Sequence, residues 1–591
     1  MKSPIVLLVA LLDDVKQLHP RVRGIDRDVK SVYHRFEHEG IGFLTNTLSV
    51  YSDAFDEGLS TGRFTCPRNF KKVPRGAIPR LFSGMLCEVF DRSTGALLDN
   101  ADPTVVKSIR EVLRLFKKLQ PTDEQDRVLD QKARLKFTET ELQVKSVLPD
   151  RLAYRLRCLG RLVLQNLNEF EGYLISPKHG PGAVVEKYTP NQKWNGVLSS
   201  IDRLVDYGFD LFALNIGLGS IGSTPDELFF TTPPRSTARV CSVPKNFSSK
   251  RTITVEPCEQ QFVQQGLNTV LRDSISRCPV LSLCLSLSDQ SKNQVLALEG
   301  SRSDTWATID LSSASDLLSL SVVSEVFGSK SAFLEALCDS RSSYVDSWSQ
   351  PLRKYAGMGN ATTFPVQSVC FALLGISAIL GNKRITYRNV RRAARNIRVY
   401  GDDIIVKREY AHAVSAEIES AGLIVNRSKS FLEGNFKESC GMDAFRGYDV
   451  TPLYVRYLSD DRLHKRAKEL AHLVQLSNQA WLRGLYHLST CIKEDVENRF
   501  RSPIPYGPLD AGYLCWHTRQ GWATVEKWSR SLHRMLVRAP VVSSPYRRDP
   551  IDGYAALLKS FFVPLIGRPK KHLERTSLRH KLIVRGRWVP V

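Results

Sequence analysis

Two adjacent acids, Asp402 and Asp403, follow Gly401 in the stretch Ile397–Val406, which reads IRVYGDDIIV. β-Branched runs on both sides of a Gly-Asp pair spell strand, tight turn, strand, and glycine supplies the positive φ that such a turn needs. The turn sets two carboxylates side by side at a hairpin tip, where they repel each other unless a cation sits between them. Asp and Gly are common turn residues, so the triplet alone is more often an ordinary turn. A third acid changes the weighing. Trp306–Asp310, WATID, reads as a short buried strand ending in a carboxylate, followed by Ser312, Ser313 and Ser315 and an apolar helical pattern through Phe327. By its local pattern Asp310 is a strand-end or capping residue, yet it is also well placed to hold a metal beside the Asp402–Asp403 tip. Hard oxygen donors suit Mg2+. Two such ions ~3.5–4 Å apart are what phosphoryl transfer uses to activate an attacking 3′-hydroxyl and to stabilise a leaving pyrophosphate.

Between these acids lies Tyr355–Ser368, YAGMGNATTFPVQS. Gly357 and Gly359 allow close backbone approach to a ligand, and Asn360, Thr362 and Thr363 offer small hydrogen-bonding groups. The apolar run Val369–Leu380 reads as a helix. Alone, this is a glycine-rich loop leading into a core helix.

The elements that must carry these residues belong to a large chain. It has 591 residues, 42% of them hydrophobic, enough for three or four domain-sized units. Lys and Arg number 83 against 61 Asp and Glu, a net charge of +22. A protein this basic meets a polyanion, most simply nucleic acid. The 12 cysteines form no CxxC pair, which argues against a zinc ribbon or finger and suits a reducing compartment. Ile5–Leu12 is apolar behind Lys2, but Asp13 and Asp14 follow at once, so it reads as a first helix or strand rather than a signal peptide. No run approaches the ~18 apolar residues of a membrane span, and the chain is expected in the cytoplasm.

Helical spacing marks Val105–Leu119 and Leu152–Leu167, with breaks at Pro177–Gly182 and Thr231–Pro234. Past Arg239 strands and helices alternate at short intervals. Past Tyr454 longer helical patterns return, such as Asp461–Leu476. Two basic stretches stand out. Lys383–Arg398 holds seven Lys or Arg residues and reads as a solvated helix face or as part of an RNA path. Gly567–Val591 carries eight basic residues against Glu574 alone and reads as a solvated tail or an RNA-contacting strap.

In their order these elements resemble the palm of viral RNA-dependent RNA polymerases, with Asp310 in the first acidic motif, Gly359–Ser368 as the second motif and Tyr400–Asp403 as YGDD. The resemblance sharpens to the replicase beta subunits of single-stranded RNA bacteriophages, the Q-beta-like leviviruses. It is carried by VPKN at Val243–Asn246, KRTITVEP at Lys250–Pro257, DQSKNQ at Asp289–Gln294, IDLSSASD at Ile309–Asp316 and MGNATTF at Met358–Phe364. VYGDDII at Val399–Ile405, FKESCG at Phe436–Gly441 and GYDVTPLYVR at Gly447–Arg456 complete it. It is strong from about residue 240 to 456.

The resemblance implies an α+β right-hand fold with fingers, palm and thumb and an antiparallel palm sheet bearing the GDD hairpin. It implies residues 1–240 as N-terminal region and part of the fingers, 241–294 as fingers with a basic NTP-binding motif, 295–434 as palm, and 435–591 as end of palm, thumb and basic C-terminal region. It carries over Asp310, Asp402 and Asp403 as ligands of two Mg2+ ions, with Mn2+ as substitute, and the Leu311 carbonyl as an extra ligand. Lys245 and Arg251 resemble the basic motif over the incoming triphosphate. Asp316 resembles the ribose-sensing acid of the first motif, and Lys429, in NRSKSF, the residue that protonates pyrophosphate. Thr363 belongs to the second motif. Many polymerases carry Asn four residues after that Thr, where this chain has Gln367, and Asn360 is an alternative ribose-reading donor. The implied partners are template and product RNA and NTPs, with no membrane, in the cytoplasm of an infected bacterium. Relatives also recruit host elongation factors Tu and Ts and a ribosomal RNA-binding protein.

Two other readings compete. A reverse transcriptase shares two acidic palm motifs but usually carries a bulkier residue where Gly401 stands. A non-catalytic basic RNA-binding or assembly protein explains the charge of +22 but not three acids set within a basic chain.

Overall fold

The computed structural model describes residues 4–121, 123–172, 175–195, 204, 207, 237–458, 466–500, 502–518, 526–579 and 581–590. The break expected at Thr231–Pro234 lies outside them, as do the first five residues of the Asp461–Leu476 pattern.

Helices dominate the N-terminal part. Pro4–Leu18 (α1) buries Ile5, Leu7, Leu8, Leu11, Leu12 and Val15, so the early apolar run is a core helix. Leu48–Thr61 (α2) packs on Pro103–Arg114 (α3). Helix α3 opens with Asp102 accepting from the Thr104 N–H at 2.8 Å and with Pro103 in its first turn, a start that satisfies one free N–H and loses none. Asp123–Gln143 (α4) and Asp150–Val163 (α5) follow. Next, Thr237–Asn246 (β1) and Ser249–Val255 (β2) form an antiparallel ribbon whose register shifts between Pro244 and Asn246.

The centre is a three-stranded antiparallel sheet. Its strands are Trp306–Ile309 (β3), whose four residues are all buried, and two others that come much later in the chain. The intervening Thr363–Leu380 (α6) lies in the core and Tyr387–Ala394 (α7) packs on it. Then Ile397–Tyr400 (β4) turns into Asp403–Lys407 (β5), and β5 takes the middle place between β3 and β4. The register sets Ile309 opposite Ile404 and Tyr400 opposite Asp403. This pairing brings Asp310 to the same end of the sheet as the Gly401–Asp402 turn.

One expectation needs correction. Helix α6 is 18 residues long with a mean hydropathy of 1.8, long and apolar enough to cross a membrane by those two measures. The sequence reading missed it because Thr363, Gln367, Ser368 and Ser377 interrupt the apolar run. Here 89% of it is buried inside the protein, against α5, α7, the Ala411–Ser420 helix and β4. It is a core helix in this fold.

Beyond the sheet, Phe436–Ser439 (β6) and Met442–Phe445 (β7) form a hairpin, and the helices Ala467–Leu482 (α8) and Tyr486–Phe500 (α9) pack on each other. Arg534–Ser543 (β8) pairs antiparallel with Ile583–Pro590 (β9). The C-terminal basic stretch is therefore not a free tail: its last residues, Ile583–Pro590, are a sheet strand paired along their whole length with β8.

Two large cores result. One joins α5, the central sheet and α6. The other joins residues of the first 119 positions to Phe436, Phe445, α8 and α9. At this second core α1 reaches α9 directly: the Asp14 carboxylate accepts from the backbone N–H groups of His487 at 2.7 Å and Leu488 at 2.8 Å, in the first turn of α9. The protein is a mixture of helix and sheet held by pairings distant in sequence.

Candidate active site

The turn between β4 and β5 is possible because Gly401 has φ of 63°. A side chain there would also collide with the Phe364 ring, 2.7 Å from an added Cβ. The Gly401 N–H donates to Ser368 Oγ on α6 at 3.2 Å, and Phe364 meets the Tyr400 ring edge-on. Helix α6 thus fixes the hairpin tip from below. Asp402 is exposed at the tip, and Asp403 is half-buried beside it.

Asp310 follows the last residue of β3. Asn426 grips it twice, its N–H donating to the Asp310 carbonyl at 2.9 Å and its Nδ2 to Oδ2 at 2.8 Å. Burial raises the Asp310 carboxyl, Lys429 and Asn426 oppose this, and Asp402 adds to it. Burial also pushes Asp403 up to about 6; the Cys440 N–H opposes this, and the charges of Asp402 and Asp310 add to it. The three acids therefore share one electrostatic field. Among the described residues, however, no group of three or more His, Cys, Asp and Glu side chains is gathered closely enough to hold a metal ion. Uncompensated carboxylates repel, and Asp310 has one oxygen committed to Asn426. Leu311, the other proposed ligand, is buried and pairs with Val425 in a two-residue ladder.

A cationic group faces these acids. Lys245 stands at the register shift of the β1–β2 ribbon, where a bulge redirects a side chain. Its side chain reaches solvent, yet its ammonium pKa is lowered by surrounding protein and by Lys429 and Arg251, with Asp310 opposing. Burial alone would lower Lys429, but Glu438 and Asp310 outweigh it and hold its pKa up. Lys245, Arg251 and Lys429 thus converge beside Asp310. Lys136 on α4 also acts on Lys245; it was not singled out in the sequence, where it is one cation on a polar helix.

The glycine loop behaves differently from expectation. A Cβ on Gly359 would lie 1.4 Å from the Thr254 carbonyl oxygen. The close backbone approach is thus to β2 of the protein itself. Thr363 Oγ1 donates to the Gly357 carbonyl at 2.9 Å, which commits it to shaping the loop. Asn360 Oδ1 accepts from the Thr362 N–H at 2.8 Å and hydroxyl at 2.6 Å, while its buried Nδ2 has no partner among the described residues, nor does Gln367 Oε1. An unpartnered buried polar atom is costly.

Asp316 lies in a one-turn helix, Ala314–Leu317. It does not cap the next helix, Leu320–Phe327; Ser319 does, accepting from the Val322 N–H at 3.2 Å. Asp316 instead receives the Lys354 ammonium at 2.8 Å, whose side chain is fully enclosed. Asn426, Lys354 and Glu438 were all missed in the sequence. Asn426 had a usable signal, since NRSKSF was singled out for Lys429 alone.

Residues 218–480 match the family model described as RNA replicase, beta-chain. The RNA-directed RNA polymerase subunit beta of Enterobacteria phage SP is 36% identical over 318 residues, 51% of this chain and 51% of the phage protein. The corresponding Escherichia virus Qbeta protein is 35% identical over 226 residues, 37% of this chain and 35% of its own. The beta chain of Escherichia phage MS2 is 36% identical over 220 residues, 37% of each chain. The chain thus spans half or less of the length of the curated relatives it matches. A crystal structure of the RNA-dependent RNA polymerase of a human picobirnavirus shares 12% identity over 44% of this chain and 55% of its own, and at a TM-score of 0.32 that likeness is too slight to bear on the fold. Residues 218–480, somewhat under half of this chain, are thus similar to the RNA replicase beta chains.

Proposed function

We propose that the chain is the catalytic subunit of an RNA-directed RNA polymerase that extends an RNA 3′ end from NTPs on an RNA template and releases pyrophosphate. The observation that carries this reading is the meeting of Asp310, Asp402 and Asp403 with Lys245, Arg251 and Lys429 at one end of the central sheet.

The acids fit a divalent metal pair. Their donors are hard carboxylate oxygens, and the carboxyls of Asp310 and Asp403, raised first by burial and then by the neighbouring acids, would be favoured in their charged form by a bound cation. Asp310, Asp402 and Asp403, with the Leu311 carbonyl, would hold two Mg2+ or Mn2+ ions, which when bound supply activation of the 3′-hydroxyl and stabilisation of the leaving group. The chain's own residues do the rest. Lys245 and Arg251 neutralise the triphosphate. The 3′-oxygen attacks the α-phosphorus while the bond to the β-phosphate oxygen breaks, and Lys429 Nζ, kept protonated by Glu438 and Asp310, gives its proton to the departing pyrophosphate. The unpartnered Asn360 Nδ2 reads the ribose 2′-hydroxyl, with Gln367 at the hairpin and Asp316 behind Lys354. Thr363 holds the loop that carries Asn360.

On this reading residues 241–294 belong to the fingers, 295–434 to the palm and 435–591 to the end of the palm, the thumb and the basic C-terminal region. Residues 1–240 form the N-terminal region and supply part of the fingers. Replication would take place in the cytoplasm of an infected bacterium. Purification from a bacterial host tests whether elongation factors Tu and Ts and a ribosomal RNA-binding protein accompany the chain. The decisive assay is template-dependent incorporation of NTP against dNTP. Incorporation of dNTP in preference would identify a reverse transcriptase, and no metal-dependent incorporation would leave a non-catalytic RNA-binding protein.

A further inference from the structure

The far end of α6 carries a second cationic feature. At 1.5 Å per residue an 18-residue helix is about 27 Å long, so the C-terminal end of α6 is remote from the Gly401 turn that its N-terminal half supports. There α5 and the segment after α6 enclose a cleft of about 700 Å³. Its lining includes Arg151, Arg155, Arg161, Lys383 and Arg384, and no lining residue is acidic. Two of these cations have structural work. Arg155 donates to Ser377 Oγ at 2.7 Å and to the Ser377 carbonyl at 2.8 Å, with Glu417 behind that serine, an arrangement that suits the negative end of a helix. Arg151 donates to Asn382 Oδ1 at 2.9 Å. Arg161, Lys383 and Arg384 are exposed in the cleft with Tyr154, which is itself 63% exposed. Lys330 adds a further charge beside Arg161. The basic surface continues along α7 through the exposed Arg388, Arg391, Arg392 and Arg395, and α7 leads into β4 and the hairpin.

Like charges crowd here without acids among them, which is unfavourable unless a polyanion lies across them. We propose that this cleft is a second RNA-binding site, which holds the phosphate backbone of a single strand away from the catalytic acids and offers Tyr154 as a stacking platform. The polymerase reading enters only in naming RNA as the polyanion. A strand bridging cleft and hairpin along α6 from Ser368 to its C-terminal end, about 18 Å, needs roughly five nucleotides at ~3.4 Å each. A shorter primed template therefore reaches only the catalytic end.

The test is NTP-free binding of a labelled single-stranded RNA several times that length to the full chain, across a salt series. Arg161→Glu/Arg384→Glu should weaken binding by about tenfold or more and lower the salt slope by about 1.4, since each phosphate contact on a single strand contributes ~0.7. Incorporation on the short primed template should stay unchanged. An equal-charge control, Arg68→Glu/Lys71→Glu on the exposed surface near Phe70, should have little effect. Unchanged affinity in the cleft variant, or an equal loss in the control, overturns the proposal. Tyr154→Ala should weaken RNA but not heparin; parallel responses would make this a plain anion cleft and reject the RNA assignment. Wild-type incorporation separately decides the polymerase reading.

Discussion

Two sets of aspartates in this protein are neutralised in opposite ways. Asp56 and Asp443 are both enclosed, and arginines meet them directly: Arg110 pairs with each, and Arg114 pairs with Asp56. Arg110 also donates to the Val450 carbonyl at 3.1 Å and lies over the Phe436 ring. This network fastens α2 and α3 to β7. Among the described residues no arginine is paired directly with Asp310, Asp402 or Asp403. Asp310 has an amide and a neighbouring lysine, and Asp403 sits with its carboxyl raised to about 6. Glu438 on β6 lies between the two sets and feels Asp443 and Arg114 on one side and Lys429 on the other. A buried carboxylate that serves the fold is paired within the fold. One left short of positive charge is suited to accept it from outside.

That contrast can be broken at its stronger end first. Asp402→Asn should abolish NTP incorporation, a loss beyond the 10–100-fold typical of groups that only support a metal ligand, while RNA binding and thermal stability stay near wild type. Near-normal turnover would sink the two-metal reading. Arg110→Met should do the reverse. Leaving Asp443 buried without its arginine, and Asp56 with Arg114 alone, should cost about 3–5 kcal/mol, read by denaturant unfolding, and activity should follow the folded fraction. If stability is unchanged, the pairing is not what holds α3 to β7.

Smaller changes sharpen the comparison. Lys245→Ala should raise KM for NTP by about tenfold, as expected for loss of a charge-assisted contact worth ~1.5–3 kcal/mol, with a lesser effect on kcat; an effect on kcat alone would move Lys245 from binding to chemistry. Asn360→Ala should narrow the NTP-to-dNTP ratio of kcat/KM by about tenfold, since a hydrogen bond to a hydroxyl is lost only for the ribose substrate and an unpaired group costs ~1–3 kcal/mol. An unchanged ratio would leave Asn360 as a brace for Thr362.

What could be read from the sequence was local. Alternation around Gly401 and the apolar WATI run mark strands that do pair, and turn chemistry marks the acids between them. What could not be read depends on partners far along the chain. Nothing in YAGMGN says that Gly359 presses on Thr254, nothing near Asp316 announces Lys354, and the polar residues Thr363, Gln367 and Ser368 hid the first turns of a helix that was legible only over Val369–Leu380. The basic C-terminal stretch looked like a tail because the strand it joins lies some forty residues earlier.

The reach of Asp14 to the first turn of α9 bears on how the molecule is made. The two partners are 474 residues apart. At the usual ~5–20 residues per second of synthesis, Asp14 waits on the order of 25–95 s for that partner to emerge. The second core, which mixes the earliest residues with α8 and α9, cannot close before then. The central sheet is encoded between its two halves, so a nascent chain can assemble the sheet but not the shell around it. Shell closure late in translation would then set when a newly made copy becomes competent.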